Sequence, residues 1–210
     1  YFSLHMPQIK NIIFDLGGVL LDIDYHLTQK AFEDLGVKDF DSMYSQASAD
    51  QLFQLLETGR IKEAQFYAQL KKCSGLNLTE KQIDKAWNSL ILDFREESLI
   101  FLSEIGKRYR IFLFSNTNVI HMEKFQEIYL EKPRPQPFNE LFEKAFYSCE
   151  IGLRKPDITS YQFILDHANI KPQETCFIDD SIQNVEAAKL AGMKSILLKK
   201  DEKIENLYWE

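Results

Sequence analysis

Apolar positions along the chain fall into two patterns. Short unbroken apolar runs ending in acids, hydroxyls or glycines alternate with longer stretches whose apolar residues recur three and four apart. The first run, Asn11–Ile12–Ile13–Phe14–Asp15, stops at Gly17–Gly18 and predicts a buried strand leading into a loop. Val19–Leu20–Leu21 is too short to classify. From about Leu27 to Leu102 the period is helical. Leu52, Leu55 and Leu56 stand at i, i+3 and i+4, Phe66 and Leu70 are four apart, and Thr58–Gly59 breaks the two segments. Thr79 with Gln82 three residues later predicts a capped helix start, running through Trp87 and Leu90.

Beyond this block strands and helices alternate. Arg110–Phe114, halted at Ser115–Asn116, reads as a second strand, and Lys144–Ser148, Thr175–Asp179 and Ser195–Leu198 as the next three. Ile158–Ala168 and Ile182–Leu190 have helical spacing, the second stopped by Gly192. Glu131–Pro137 holds three of the six prolines and must be irregular. Such alternation implies right-handed crossovers and a parallel sheet. The expected fold is therefore α/β: a Rossmann-like core from residues 7–24 and 103–204, with a helical subdomain inserted over residues 25–102. Parallel sheets bind ligands at the carboxyl ends of their strands, where Asp15, Ser115 and Asp179–Asp180 all fall.

Composition narrows the class. The chain has 210 residues, 45% hydrophobic and 27% charged, which suits one globular unit plus an insertion and excludes disordered and disulfide-scaffold classes. A net charge of −7 argues against nucleic acid as a partner, and no apolar run is long enough to cross a membrane. Cys73, Cys149 and Cys176 match no zinc or CxxC spacing. They read as small buried hydrophobes in a reducing, cytoplasmic setting. No secretory signal pattern opens the chain, and Tyr1–His5, ahead of Met6, is set aside from the fold reasoning. Nothing in the pattern specifies an oligomeric state.

Asp15 on a rigid strand end, with glycines letting an anion approach, suits a nucleophile in phosphoryl transfer; it equally suits a turn cap. Asp179–Asp180 suits Mg²⁺, because two acids at a buried strand end repel and need a cation. Ser115 and Asn116 offer a hydroxyl and N–H groups to an anion, or simply make a turn. Lys155 before Pro156 can neutralise phosphoryl charge, or be a solvated loop lysine. Asn184, a turn beyond Asp180, can orient a ligand or serve as an ordinary early-helix residue.

Together, the order Asp15, Ser115–Asn116, Lys155–Pro156, Asp179–Asp180 resembles the four motifs of the haloacid dehalogenase (HAD) superfamily. The helical block resembles that family's C1 cap. The resemblance implies Asp15 as nucleophile and metal ligand and the Gly17 carbonyl as a second ligand. Ser115, assisted by Asn116, would bind the transferring group, and Lys155 would stabilise its charge. Asp180 would be the main further metal ligand, with Asp179 an additional acid, direct or through water. Asn184 falls where many members carry another acid. The family's phosphatases usually carry a second Asp two residues after the nucleophile as acid/base; here that position is Gly17. A cap residue, Asp22 or Asp24 would have to replace it, or the leaving group would need little protonation, or turnover would be slow or absent. The first motif is similar to that of a subgroup related to α-D-glucose-1-phosphate phosphatases, which also has Gly there.

The implied activity is a Mg²⁺-dependent phosphatase of small phosphorylated metabolites such as sugar phosphates. The alternatives are a 2-haloacid dehalogenase, whose halide needs no proton, and a non-catalytic binding protein on this fold. On the cap, Tyr25, His26, Phe53, Glu57, Arg60 and Trp87 are specificity candidates. Glu57, Arg60 and His26 suit sugar hydroxyls, whereas Phe53 and Trp87 suit the cap core. His121 and His167 read as ordinary surface or helix residues.

Overall fold

The computed structural model describes residues 8–38, 40 and 47–209, so Tyr1–His5 lie outside the described residues. Five parallel strands form the main sheet: β1 (Asn11–Phe14), β4 (Arg110–Ser115), β5 (Lys144–Tyr147), β6 (Thr175–Asp179) and β7 (Lys194–Leu197). Their spatial order is β5-β4-β1-β6-β7. β1, placed first in sequence and central in space, is buried at every position because strands flank it and helices cover both faces.

Alternation along the strands divides the core. Ile12, Phe14, Leu113 and Ile178 pack into one cluster, and Ile13, Phe112, Phe114 and Phe177 into another on the opposite face. The first cluster includes residues of α5 (Glu96–Ile105) and α6 (Val119–Leu130), and the second residues of α8 (Ile158–His167) and α9 (Ile182–Leu190). A short helix, α7 (Ser148–Ile151), follows β5.

The insertion contains α1 (Tyr25–Asp34), α2 (Ala47–Glu57), α3 (Glu63–Ser74) and α4 (Glu80–Trp87). Thr79 and Gln82 do form the capping box expected of α4, but that helix ends at Trp87 and a 3₁₀ turn carries the chain to Leu90. Two further strands form in the linkers, one before the helical block and one, unanticipated, within it. β2 (Leu21–Ile23) and β3 (Ile91–Phe94) pair antiparallel at the base of the cap. Arg95 reinforces that base, donating its backbone N–H to the Leu20 carbonyl and Nε to Asp22.

The residues of the expected insertion pack into two clusters. Phe32, Phe53, Phe66, Leu70 and Trp87 form the cap's own cluster, whereas Leu90, Phe94, Leu99 and Leu102 belong to the sheet's cluster. The helix α6, also unanticipated, touches both: Ile120 lies in the cap cluster and Phe125 and Tyr129 in the sheet cluster. Of the cysteines, Cys176 is buried, but Cys149 is half-buried and Cys73 exposed. Burial pushes the Cys149 and Cys176 thiols up to about 11 and about 12. None of the helices among the described residues is long and apolar enough to cross a membrane.

Candidate active site

The carboxyl ends of β1, β4 and β6 meet the underside of the cap around a cavity of about 650 Å³. This is where strand order reverses about β1, the position at which open parallel sheets bind ligands. Asp15 continues β1 and hydrogen-bonds its backbone N–H to the Ile178 carbonyl of β6. Its Oδ1 accepts the Leu16 N–H at 2.7 Å and takes Lys155 Nζ at 2.7 Å. Neither contact uses Oδ2.

Lys155 is buried to 1% exposure. An isolated buried ammonium would be costly, and three oxygens compensate this one: Asp15 Oδ1, Asp179 Oδ2 at 2.7 Å and the Phe114 carbonyl at 3.1 Å. Burial disfavours its charge, yet the two carboxylates outweigh that and hold its pKa above the ordinary lysine value. Asn116 fixes the backbone from which Lys155 projects. Its Nδ2 donates to the Lys155 carbonyl and its Oδ1 accepts the Lys155 N–H, both at 2.9 Å. Its carboxamide is thus engaged with the Lys155 backbone, and Asn116 lines the cavity beside Ser115. Ser115, buried at the end of β4, does line the cavity.

The acids divide their work. Asp179 is fully buried, and both its oxygens are engaged: Asn184 Nδ2 donates to Oδ1 and Oδ2, the Ser181 N–H to Oδ1, and Lys155 to Oδ2. Asn184, held against Asp179, is therefore a positioning residue. Asp180 is exposed to the cavity side of the strand end and lines the cavity with Asp15. Oxygens of Asp15, Asp179 and Asp180 lie within 4.8 Å of one another. Burial first, then the Asp179 charge, holds the Asp15 carboxyl well above its usual range despite Lys155, and the same two causes raise Asp180.

Three carboxyls around one ammonium form a site short of positive charge, and hard oxygen donors suit a hard divalent cation. Gly18 has φ +71°, and a Cβ there would overlap the Asp180 carboxylate, so the turn lets that acid come close. The bridge between Gly17 and Leu21 uses the Leu16 carbonyl and the Gly18 N–H, not the Gly17 carbonyl. These residues fit a Mg²⁺ site made of Asp15, Asp180 and the Gly17 carbonyl, with Asp179 behind them.

Of the replacements considered for the missing acid, Asp22 and Asp24 do not reach the site. Asp22 is bound to Arg95 at 2.7 Å, and Asp24 caps α1 by accepting the His26 N–H at 3.0 Å. Neither lines the cavity. A Cβ on Gly17 would stand 2.9 Å from Ile23 Cδ1, so Ile23 occupies the space beside that position.

Of the cap candidates, Glu57 and His26 line the cavity, as do Tyr25 and Trp87. Arg60 is exposed and does not, which corrects its proposed part in substrate binding. The arginine that lines the cavity is Arg154, joined to Glu57 at 3.0 Å so that core and cap meet across the site. His121, on α6 as its reading as a surface or helix residue allowed, also lines the cavity. It stacks on Trp87 at 5.0 Å, its Nε2 lies 3.2 Å from the Trp87 carbonyl, and its Nδ1 lies 3.0 Å from Asn118 Nδ2. A carbonyl only accepts, so Nε2 carries the proton and Nδ1 accepts from Asn118. Burial pushes the imidazole down to about 4, so His121 is a neutral wall of the cavity.

A strand-end carboxyl paired with a buried lysine, beside acids that could hold a metal ion, at the ends of β1, β4 and β6 under a helical insertion, is the arrangement of a HAD-type hydrolase centre. Residues 9–192 match the model of the haloacid dehalogenase-like hydrolases, and the chain belongs to that family. It is 31% identical over 190 residues to a D-ribitol-5-phosphate phosphatase of Bacteroides thetaiotaomicron, covering 90% of this chain and 91% of the relative. It is 30% identical over 193 residues to a sesquiterpene phosphatase of Aspergillus oryzae, covering 90% and 89%. The crystal structure of a HAD-family enzyme from Bacteroides thetaiotaomicron in complex with magnesium superposes with a TM-score of 0.89 at 31% identity, covering 96% of this chain and 99% of that one.

Proposed function

We propose that the chain is a Mg²⁺-dependent phosphatase of small phosphorylated metabolites, sugar or polyol phosphates among them, working through an aspartyl-phosphate. The observation that carries this is Lys155 Nζ, buried and 2.7 Å from both Asp15 and Asp179, beside a cluster of carboxylates short of positive charge. Asp15 Oδ2, outside the lysine and Leu16 contacts, attacks phosphorus in line. The P–O bond to the leaving group breaks, and the leaving oxygen takes a proton from solvent water. Lys155 and the Ser115 hydroxyl absorb charge on the phosphoryl oxygens. Water then attacks phosphorus, releasing phosphate and restoring the carboxylate. Bound Mg²⁺ would supply Lewis-acid stabilisation of phosphoryl charge, held by Asp15, Asp180 and the Gly17 carbonyl. That need for a cation weighs against the dehalogenase alternative, and the intact Asp15–Lys155 pair weighs against a non-catalytic protein. The three cysteines are free, which supports a reducing, cytoplasmic setting.

The test is phosphate release from D-ribitol 5-phosphate, α-D-glucose 1-phosphate and p-nitrophenyl phosphate, with Mg²⁺ and with chelator, beside Asp15→Asn. Release that needs Mg²⁺ and disappears in the variant is expected. No release from any substrate, or release untouched by Asp15→Asn, refutes the reading. Chloride release from 2-chloropropionate would then favour the dehalogenase.

A further inference from the structure

Two buried N–H donors, Trp87 Nε1 and Arg154 Nε, have no hydrogen-bond partner among the described residues. Both residues line the cavity that holds Asp15. Buried donors are seldom left without an acceptor, and an exception calls for a missing partner. Trp87 cannot turn away to find one. Its indole is 4% exposed and clamped between Phe53, stacked at 4.9 Å, and His121, stacked at 5.0 Å. Its carbonyl is held by Thr28 Oγ1 and His121 Nε2, each at 3.2 Å. Arg154 is likewise anchored, through Nη2, to Glu57.

We propose that Trp87 Nε1 and Arg154 Nε, with the Glu57 carboxylate beside them, form a subsite that reads the hydroxyl groups of an oxygen-rich leaving group. This rests on the phosphatase reading and specifies its substrate class: phosphate esters of polyols rather than of hydrocarbon chains. A hydroxyl both accepts from an N–H and donates to a carboxylate. An alkyl or terpenoid chain would seal both donors from water without offering an acceptor. A second anionic group would face Glu57. The two similar phosphatases act on opposite chemistries, a polyol phosphate and a sesquiterpene, and these donors favour the first.

The test compares D-ribitol 5-phosphate, n-pentyl phosphate and farnesyl phosphate, with p-nitrophenyl phosphate as reference, in the unaltered enzyme and in Trp87→Phe. Phenylalanine preserves an aromatic ring between Phe53 and His121 and deletes the N–H. The unaltered enzyme should prefer the polyol ester over the pentyl ester by about 100-fold or more in kcat/KM, because a site built for hydroxyls rejects the analogue lacking them. Trp87→Phe should lower that preference by about tenfold, the loss of one buried hydrogen bond. Equal use of the pentyl or farnesyl ester by the unaltered enzyme overturns the proposal, a result that does not depend on the variant folding. So does an unchanged preference in a folded Trp87→Phe. Absence of release from all four esters would instead refute the phosphatase reading, and the subsite with it.

Discussion

Gly17 stands where the family's phosphatases usually carry an acid/base Asp, and the structure shows what placing the acid there would require. Gly17, unlike Gly18, does not adopt a left-handed φ, so an L side chain meets no backbone strain there. The obstacle is Ile23 Cδ1, 2.9 Å from the position of a Cβ. It is the far end of a flexible side chain, and Ile23→Val removes it outright at roughly 0.5–1.5 kcal/mol of stability. The double variant Gly17→Asp/Ile23→Val thus places a carboxyl two residues beyond Asp15. Neighbouring acids and partial burial would raise its pKa and keep a proton on it near neutral pH. A positioned acid contributes roughly 10²–10⁴ in rate, or about 3–5 kcal/mol of barrier. An acid without evolved support should recover part of that, at least about tenfold in kcat/KM on alkyl phosphates. On p-nitrophenyl phosphate, whose leaving group needs no proton, the gain should stay under about twofold. The assay is kcat/KM against leaving-group pKa across aryl and alkyl phosphates, expected to be steep in the unaltered enzyme and flatter in the double variant. A shallow slope in the unaltered enzyme would mean another group already supplies the proton. A folded, Mg²⁺-binding double variant with no gain on alkyl esters would refute the reasoning equally.

Two further outcomes follow from the buried groups. Lys155→Met leaves Asp15 and Asp179 facing each other without their shared ammonium, and should cost about 3–5 kcal/mol in urea unfolding at pH 7 with chelator present; a cost below about 1 kcal/mol would mean the pair is not held as the distances imply. His121 should titrate near 4 rather than 6.5 when followed by its imidazole proton resonances. Its folded-state pKa is depressed, so the unfolded chain binds the extra proton first. Stability should therefore fall as pH drops from about 6.5 towards 4, by up to about 3 kcal/mol from this group; a resonance titrating near 6.5 would remove that contribution.

The phosphate end of the site was legible because sheet geometry does the assembling. Strands buried on both faces are continuous apolar runs, and in a parallel sheet whatever follows each run arrives at the same edge. Asp15, Ser115 and Asp179–Asp180 announce themselves in this way. The elements that escaped lack such a run. In β3 the two middle residues are exposed, so four residues amid helices show no strand pattern. The helix α6 packs against cap and sheet together, which spreads its apolar residues over two faces and blurs the period. The leaving-group end has no equivalent of the shared sheet edge. Whether Arg60 or Arg154 enters the cavity depends on how α2 lies against the core, where Glu57 meets an arginine nearly a hundred positions away. His121 reaches Trp87 across 34 positions, and Asn116 reaches the Lys155 backbone across 39. Each of these depends on two elements being packed before either residue acquires its task. Composition can nominate such residues, but only tertiary packing selects among them. It follows that relatives sharing the strand-end acids can differ in leaving group through a few cap contacts, and that Trp87 and Arg154 are the positions at which to look for that difference.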